Sequence, residues 1–458
     1  MKRSTSYSKP KIGKLIFLRY LAHSSTMKSV SFVFPKLLLS FYLTGLMLLI
    51  SLSACKQAST PAHTDTLRIL SFNILYGGDE YDFSKTVEAI KKSGAQVVCI
   101  QEAEGQLERL ANALNWPYLN KAGHIISQYP LYTHNGRGWY FTLVMPSPQR
   151  VFALSNIHLP SDPYGPDAIS AGMKPDSVLA LEEQIRMPML RTYLPVWDSL
   201  IAAGMPLVIT GDLNSPSHLD WVSSTVGLRP QIKYSFAWPV TKTLEKLGLQ
   251  DHYRSIYPDP KAHPACTWTP GYPHPYTNPD ETHDRIDYIF GSKLVKPLEA
   301  TLLGEKGNPE VSISVAPYPT DHRGVISKIQ IWTQKAGTGL VSCPKANSDK
   351  RNASIHTDKS SYQKGEAIEV SWQNAPGNRY DWIAVYPYGS NSKSDYYATD
   401  QASAYLLWAY TFAKPAGKLQ LNASAHPKDW PLPPGKYSIN LLIDDGFESI
   451  AQTTININ

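Results

Sequence analysis

From residue 67 onward, apolar runs of strand length alternate with stretches of helical periodicity. The runs are LRILSFNILYGG at 67–78, AQVVCIQE at 95–102, WYFTLVMP at 139–146, RVFALSNIHL at 150–159, PLVITGDLN at 206–214, RIDYIFGS at 285–292 and GVISKIQIW at 324–332. Short apolar segments bounded by polar and turn-forming residues predict buried strands. Between the first two, DFSKTVEAIKKSGA predicts a short amphipathic helix: Asp82 or Ser84 caps it, Val87 and Ile90 share a face, and Gly94 stops it. EEQIRMPMLRTYLPVWDSLIAAG, ahead of Pro206, predicts a second helix interrupted by prolines. An α+β or α/β architecture with a mixed sheet is expected for 67–333.

The texture changes after Thr333. TQKAGTGLVSCPKANSDKRNAS has no apolar period and is rich in small and charged residues, so 334–353 is expected to be a linker. From 354 to 458 the helical periods vanish and short alternating strands take over: AIEVSW, DWIAVYP, YLLWAYTF, KLQLNAS, KYSINLLID and AQTTININ, with PPGK and DDG as turns. This pattern predicts a smaller all-β, immunoglobulin-like sandwich, with an accessory or spacer role in default of any polar constellation of its own.

At the other end, a basic stretch runs into KLLLSFYLTGLMLLISLSACKQ, with small residues before Cys55. This is the plan of a signal peptide. LSAC resembles a bacterial lipobox, which implies 1–54 as a lipoprotein signal peptide, lipidation at Cys55, a tether over 55–66, and a lipid-anchored location at the outer membrane or the periplasmic face of a membrane. An uncleaved transmembrane anchor is the alternative.

Charge first suggests a polyanionic partner, since the chain carries a formal net charge of +6. The first 54 residues hold eight Lys or Arg and no Asp or Glu, however, and 67–333 holds 23 basic against 26 acidic residues. The basic balance therefore belongs to the targeting segment and does not favour a nucleic-acid partner. Four cysteines show no zinc-type spacing. Cys99 is expected to be buried and inert, while Cys266 and Cys343 are candidates to pair in an oxidising compartment.

The predicted strands of 67–333 end in residues that chemistry can use: Asn73; Gln101 and Glu102; Asn156 and His158; Asp212 and Asn214; Asp287; Asp321 and His322. Any one of these is ordinarily a turn former or a cap. Strand ends on one edge of a sheet converge on one surface, and six such ends together point to a site.

In this order and spacing the residues resemble the endonuclease/exonuclease/phosphatase superfamily, over essentially the whole of 67–333. The resemblance implies a four-layered α/β/β/α sandwich and divalent-metal-dependent hydrolysis of a phosphodiester or phosphomonoester, usually with Mg²⁺ and with Mn²⁺ as an alternative ion. It implies Glu102 as the main metal ligand with Asp321 and Asn73 nearby, and His158, Asp212, Asn214, Asp287 and His322 as catalytic residues. Asp287 is the favoured partner to orient His322. The chemistry agrees: attack on a phosphoester needs a cation or donors on its negative oxygens, an activated water and a proton for the leaving oxygen. Oxygen-rich ligands without thiolates suit a hard ion.

The substrate is less legible. HDRIDYIF keeps Asp284 and Arg285 of a 5-phosphatase-like triplet without its Cys. Arg285 is accordingly either a phosphate contact or half of a structural ion pair. Two Pro- and Gly-rich segments are expected to set specificity: LPSDPYGPDAISAGMKPD after His158, and CTWTPGYPHPYTNPDETHD, in which Trp268, Tyr272 and Tyr276 are candidates to stack on substrate or to pack beneath the loop. A nuclease or sphingomyelinase-like phosphodiesterase is the alternative enzyme, and a non-catalytic surface-binding lipoprotein the rival from another class.

Overall fold

Two mixed β-sheets lie face to face in the computed structural model, which describes residues 63–134, 138–271, 281–343, 345, 352–390, 405–423 and 430–458. The first sheet has seven strands in the order Val311–Val315, Val295–Glu305, Gly324–Trp332, Thr64–Asn73, Val97–Gln101, Ile125–Ser127, Tyr118–Asn120. The second runs Leu340–Ser342, Leu131–His134, Thr142–Ser147, Arg150–His158, Leu207–Asp212, Asp287–Gly291, Gln250–Asp251, with Gln334–Lys335 pairing onto the Arg150–His158 strand.

Alternation of side chains along each strand decides what fills the layers. Leu67, Ile69, Val97 and Cys99 of one sheet meet Val144, Phe152, Leu154, Val208 and Ile289 of the other in the central core. The opposite face of the first sheet carries Leu70, Phe72, Val98 and Ile100, covered by the helices Phe83–Ser93 and Leu107–Leu114. The outer face of the second is covered by Met187–Ala202 and Pro239–Lys246 through Leu190, Tyr193, Trp197, Val240 and Leu244. Helix, sheet, sheet, helix is the layering expected. Asp82 rather than Ser84 caps the first helix, accepting from the Ser84 N–H, and Gly94 ends it at φ 64°. The proline-broken stretch resolves into two helices, Pro175–Ile185 and Met187–Ala202.

The expected linker is shorter than 334–353. Gln334–Lys335 and Leu340–Ser342 add to the second sheet, where their backbone groups find partners that an isolated polar segment cannot offer. Cys266 and Cys343 do not pair; all three described cysteines are thiols, and burial pushes Cys99 and Cys343 up to about 12.

Residues 354–458 build two further sheets around one core of Val370, Trp372, Ile383, Val385, Ile439 and Leu441. One contains Ser354–Thr357, Ile368–Gln373 and Gly417–Leu421; the other contains Ser361–Tyr362, Ser449–Ile457, Gly435–Leu442, Trp382–Pro387 and Leu407–Tyr410. Thr64–Asn458 forms one compact unit. Buried polar groups join its two parts: Arg379 donates its backbone N–H to Lys121 O and its Nε to Ala122 O, and packs over Trp139. Cys55 and the apolar run before it lie outside the described residues; among those described, no helix is long and apolar enough to cross a membrane.

Candidate active site

Register places the polar strand ends. Arg150–His158 runs parallel to Leu207–Asp212 with His158 opposite Asp212, and Asp287–Gly291 runs antiparallel to it with Asp287 opposite Asp212. Three chemically active side chains therefore stand in one row at one edge of the second sheet. In the first sheet Asn73 lies opposite Gln101, with Glu102 immediately beyond. Two buried bridges join the rows across the core: Asn73 Nδ2 to Asp212 Oδ2 at 3.1 Å, and Gln101 Nε2 to Asn156 Oδ1 at 2.6 Å.

Asp212 is the hub. Its Oδ1 accepts from Asn214 N–H at 2.9 Å, while its Oδ2 lies 3.5 Å from His158 Nε2 and 3.7 Å from His322 Nε2. His322 Nδ1 is 3.0 Å from Asp287 Oδ2, and its Nε2 is 4.0 Å from Asp321 Oδ1. Burial alone would depress the imidazole, but Asp287, Asp212 and Asp321 outweigh it and hold His322 up at about 10. Asp212 is buried yet stays well below the ordinary carboxylate range, because His322, His158 and the Asn214 N–H favour its charge. Burial prevails at Asp287, which is raised despite His322. His158, with about 24% of its side chain exposed, is raised by Asp212 against the opposing effect of burial.

Glu102 takes the left-handed conformation at φ 56°, and its carboxylate accepts from Asn73 Nδ2 at 3.0 Å and from Tyr76 N–H at 3.3 Å. Asn73 is used differently from its expected place near a metal. Its Oδ1 accepts from Leu75 N–H and its Nδ2 serves both Glu102 and Asp212, so it presents donors to the centre rather than a ligand oxygen. Asn214 Nδ2 gives one of its two N–H groups to Leu159 O at 3.0 Å, while its backbone N–H fixes Asp212.

Arg285 is not part of the centre. It is buried, with Nε 2.9 Å from Asp220 Oδ2 and Nη1 2.7 Å from Asp251 Oδ2, and it packs over Tyr288. Its direction follows from the strand: Arg285 and Asp287 are two residues apart, but the extended stretch begins only at Asp287. Trp268 lies beside the site, its indole Nε1 3.4 Å from Asp321 Oδ2. Tyr272 and Tyr276 lie outside the described residues.

Several residues of the arrangement escaped sequence reasoning. Thr320 donates to Asn73 O, tying the Asp321-His322 turn to the first strand, and Thr267 Oγ1 accepts from the N–H groups of Ile286 and Asp287. Glu182 and Arg186, both fully buried, brace the neighbouring loops by accepting from Ser215 Oγ and donating to Ser161 O. Their i, i+4 spacing on a helix was legible, but its burial was not.

A search among known proteins bears on the arrangement directly. Residues 70–322, more than half of the chain, match the Endonuclease/Exonuclease/phosphatase family. The chain belongs to this family. Its members hydrolyse phosphoester bonds, and the residues matched include every candidate catalytic, metal-ligating and substrate-binding residue named above. An uncharacterized protein of Caenorhabditis elegans, F14F9.5, is 28% identical over 312 residues, 62% of this chain and 97% of that protein. Similar solved structures include TDP2 of Caenorhabditis elegans, at 17% identity over 58% of this chain and 74% of that one, with a TM-score of 0.35. An endonuclease/exonuclease/phosphatase from Beutenbergia cavernae matches at 15% identity over 85% of this chain and 99% of that one, with a TM-score of 0.34.

The family uses divalent metals, and the residues fit one. Glu102 and Asp321 offer two carboxylates beside the row, whereas Asp212, Asp287 and His322, whose side-chain atoms lie within 4.8 Å of one another, are committed to each other. Asp287 Oδ1 is buried without a hydrogen-bond partner. The open donors are carboxylate oxygens with no thiolate among them, a set for a hard cation.

Proposed function

We propose that this family member is a Mg²⁺-dependent phosphoester hydrolase, tethered to the cell envelope through Cys55 and acting on a diffusible or surface-presented substrate. The observation that carries the reading is the row of buried Asp212, Asp287 and His322 with the partly exposed His158, linked through Asn73 to Glu102. Glu102, with Asp321, would hold the ion. When bound, the ion neutralises phosphate oxygens and lowers the pKa of water.

The chain's own groups supply the rest. Asp212 orients the attacking water: a carboxylate held ionised by two imidazoles and an amide is a firm acceptor but a weak base. His322, its Nδ1 committed to Asp287, keeps a proton at Nε2 for a phosphate oxygen. His158 is partly exposed at the mouth and donates to a phosphate oxygen or to the leaving oxygen. Asn73 and Asn214 hold the carboxylates in place, and Trp268 fixes Asp321. The near-neutral charge of the domain supports a compact phosphoester over a long polyanion. We also propose that the C-terminal sandwich is immunoglobulin-like, which its two sheets around one core support.

Hydrolysis of bis(p-nitrophenyl) phosphate with Mg²⁺, its loss with EDTA, and its loss in His322→Ala and Glu102→Ala test the chemistry. Rates unchanged in these variants would overturn the assignment. A panel of DNA, sphingomyelin, nucleotides and inositol phosphates, run with wild type and His322→Ala, identifies the substrate. Cys55→Ser is expected to move the protein from the membrane to the soluble fraction, and retention in the membrane would refute the anchor.

A further inference from the structure

The loop that carries Glu102 is held in an unusual backbone state. Glu102 at φ 56°, Glu104 at φ 43° and Gly105 at φ 79° are all left-handed, and two of the three are not glycine. Such residues persist only where their surroundings hold them. On one side Gly77 N–H donates to Glu102 O and Tyr76 N–H to its carboxylate. On the other side the holding group comes from the second domain, more than 300 residues away in the chain.

That group is Asp444, in the turn between the strands Gly435–Leu442 and Ser449–Ile457. It is buried, its Oδ2 accepts from Gly105 N–H at 3.1 Å, and its Oδ1 accepts from Tyr380 N–H at 3.0 Å and lies 2.8 Å from His124 Nε2. His124 is itself tied to the strand that delivers Glu102, since its carbonyl accepts from Ile100 N–H and Asn156 Nδ2. Asp444 thus grips the end of that strand from two directions. The fit is close: a Cβ at Gly105 would come within 2.3 Å of Ile443 Cγ2. Within its own domain, Asp444 N–H donates to Asp381 Oδ1, so the turn is anchored before it reaches across.

We propose that Asp444 is a positioning residue for the metal-binding loop, so that the second domain is a working part of the active site and not a spacer. This rests on Glu102 being the metal ligand, as proposed above. The carboxylate acts through Gly105 and His124 and touches neither ion nor substrate. Replacing it with an amide of the same shape can turn an N–H toward the Gly105 N–H, and the left-handed loop then loses its support.

The test measures metal binding itself, by electron paramagnetic resonance of Mn²⁺ titrated into the full chain, alongside the Mg²⁺ dependence of bis(p-nitrophenyl) phosphate hydrolysis. Asp444→Asn is expected to weaken Mn²⁺ binding roughly 10- to 100-fold, the range for partners that orient metal ligands, with lost activity partly regained at high Mg²⁺. Where this variant does not fold by circular dichroism, Asp444→Glu keeps the charge, lengthens the reach and is expected to weaken binding in the same direction. Arg379→Met, which removes a docking contact without touching the loop, is the comparison. Wild-type Mn²⁺ affinity in a folded Asp444 variant would overturn the proposal. So would an equal weakening in Arg379→Met, because docking alone would then account for it. A wild-type chain that binds no Mn²⁺ and hydrolyses nothing would instead sink the underlying functional reading.

Discussion

Asp287→Asn is the sharpest probe of the catalytic row. The amide keeps the shape of the carboxylate and can still accept from His322 Nδ1, so the substitution removes charge with little change of packing. The lost partner lies 3.0 Å from the imidazole, and both groups are buried. At an effective dielectric of 20, two unit charges at that separation interact by about 5 kcal/mol, an upper bound on what the charge supplies. Asp212 at 3.7 Å and Asp321 at 4.0 Å remain and retain part of the imidazolium's support. If about half of the bound is realised, the His322 pKa drops from about 10 by about two units, so that at about pH 9, where wild-type His322 is still mostly protonated and the variant mostly is not, kcat falls roughly tenfold. KM should change little, since Asp287 is fully buried and does not face substrate. Steady-state kinetics on bis(p-nitrophenyl) phosphate and an ¹⁵N histidine titration read the two effects together. A kcat within twofold of wild type, with an unmoved His322 titration, would refute the view that Asp287 sustains a charged His322.

Arg285→Met should cost about 3 kcal/mol of stability by stranding Asp251 Oδ2 and leaving Asp220 with Arg254 alone; chemical denaturation measures this, and a changed KM at unchanged stability would restore a substrate role. Gly211→Ala should cost on the order of 3 kcal/mol or prevent folding, because φ is 155° and a Cβ would come within 2.0 Å of Ile157 O, between the strands that present His158 and Asp212; an unaltered melting temperature would contradict the register. His252 is buried and neutral, its pKa lowered by burial to about 3 against an ordinary 6.5. Between those values the unfolded chain binds a proton that the folded one does not, so stability falls as pH falls below 6.5. By pH 5 the loss is about 2 kcal/mol. Urea unfolding at pH 7 and pH 5 should show that loss in wild type and a smaller one in His252→Asn; equal losses would be evidence against it.

The identities of the site residues were legible because each stands where an apolar run stops, and a run that ends in Asp or His advertises a strand edge. Their roles were less legible. Asn73 looked like a group for metal, yet its amide is occupied on both atoms by Glu102, Asp212 and the Leu75 N–H, because a buried amide must satisfy its hydrogen bonds; Asn214 gives one N–H to Leu159 O. Arg285 looked equally suited to substrate and to an ion pair; only the positions of Asp220 and Asp251, distant in sequence, decide for the ion pair.

Local information determined the strand and helix segments, the two folded regions, the oxygen-rich chemistry and the row of strand ends, since periodicity and turn residues act over a few positions. The tertiary structure decided which ends meet and in what register, that 334–342 joins a sheet, and that a turn near residue 444 reaches the loop of Glu102. Those outcomes depend on contacts between residues from tens to hundreds of positions apart, whose partners no local pattern records: Asp444 reads in the chain as one acid of an ordinary DDG turn, and becomes a buried clamp only when two separately patterned regions pack together.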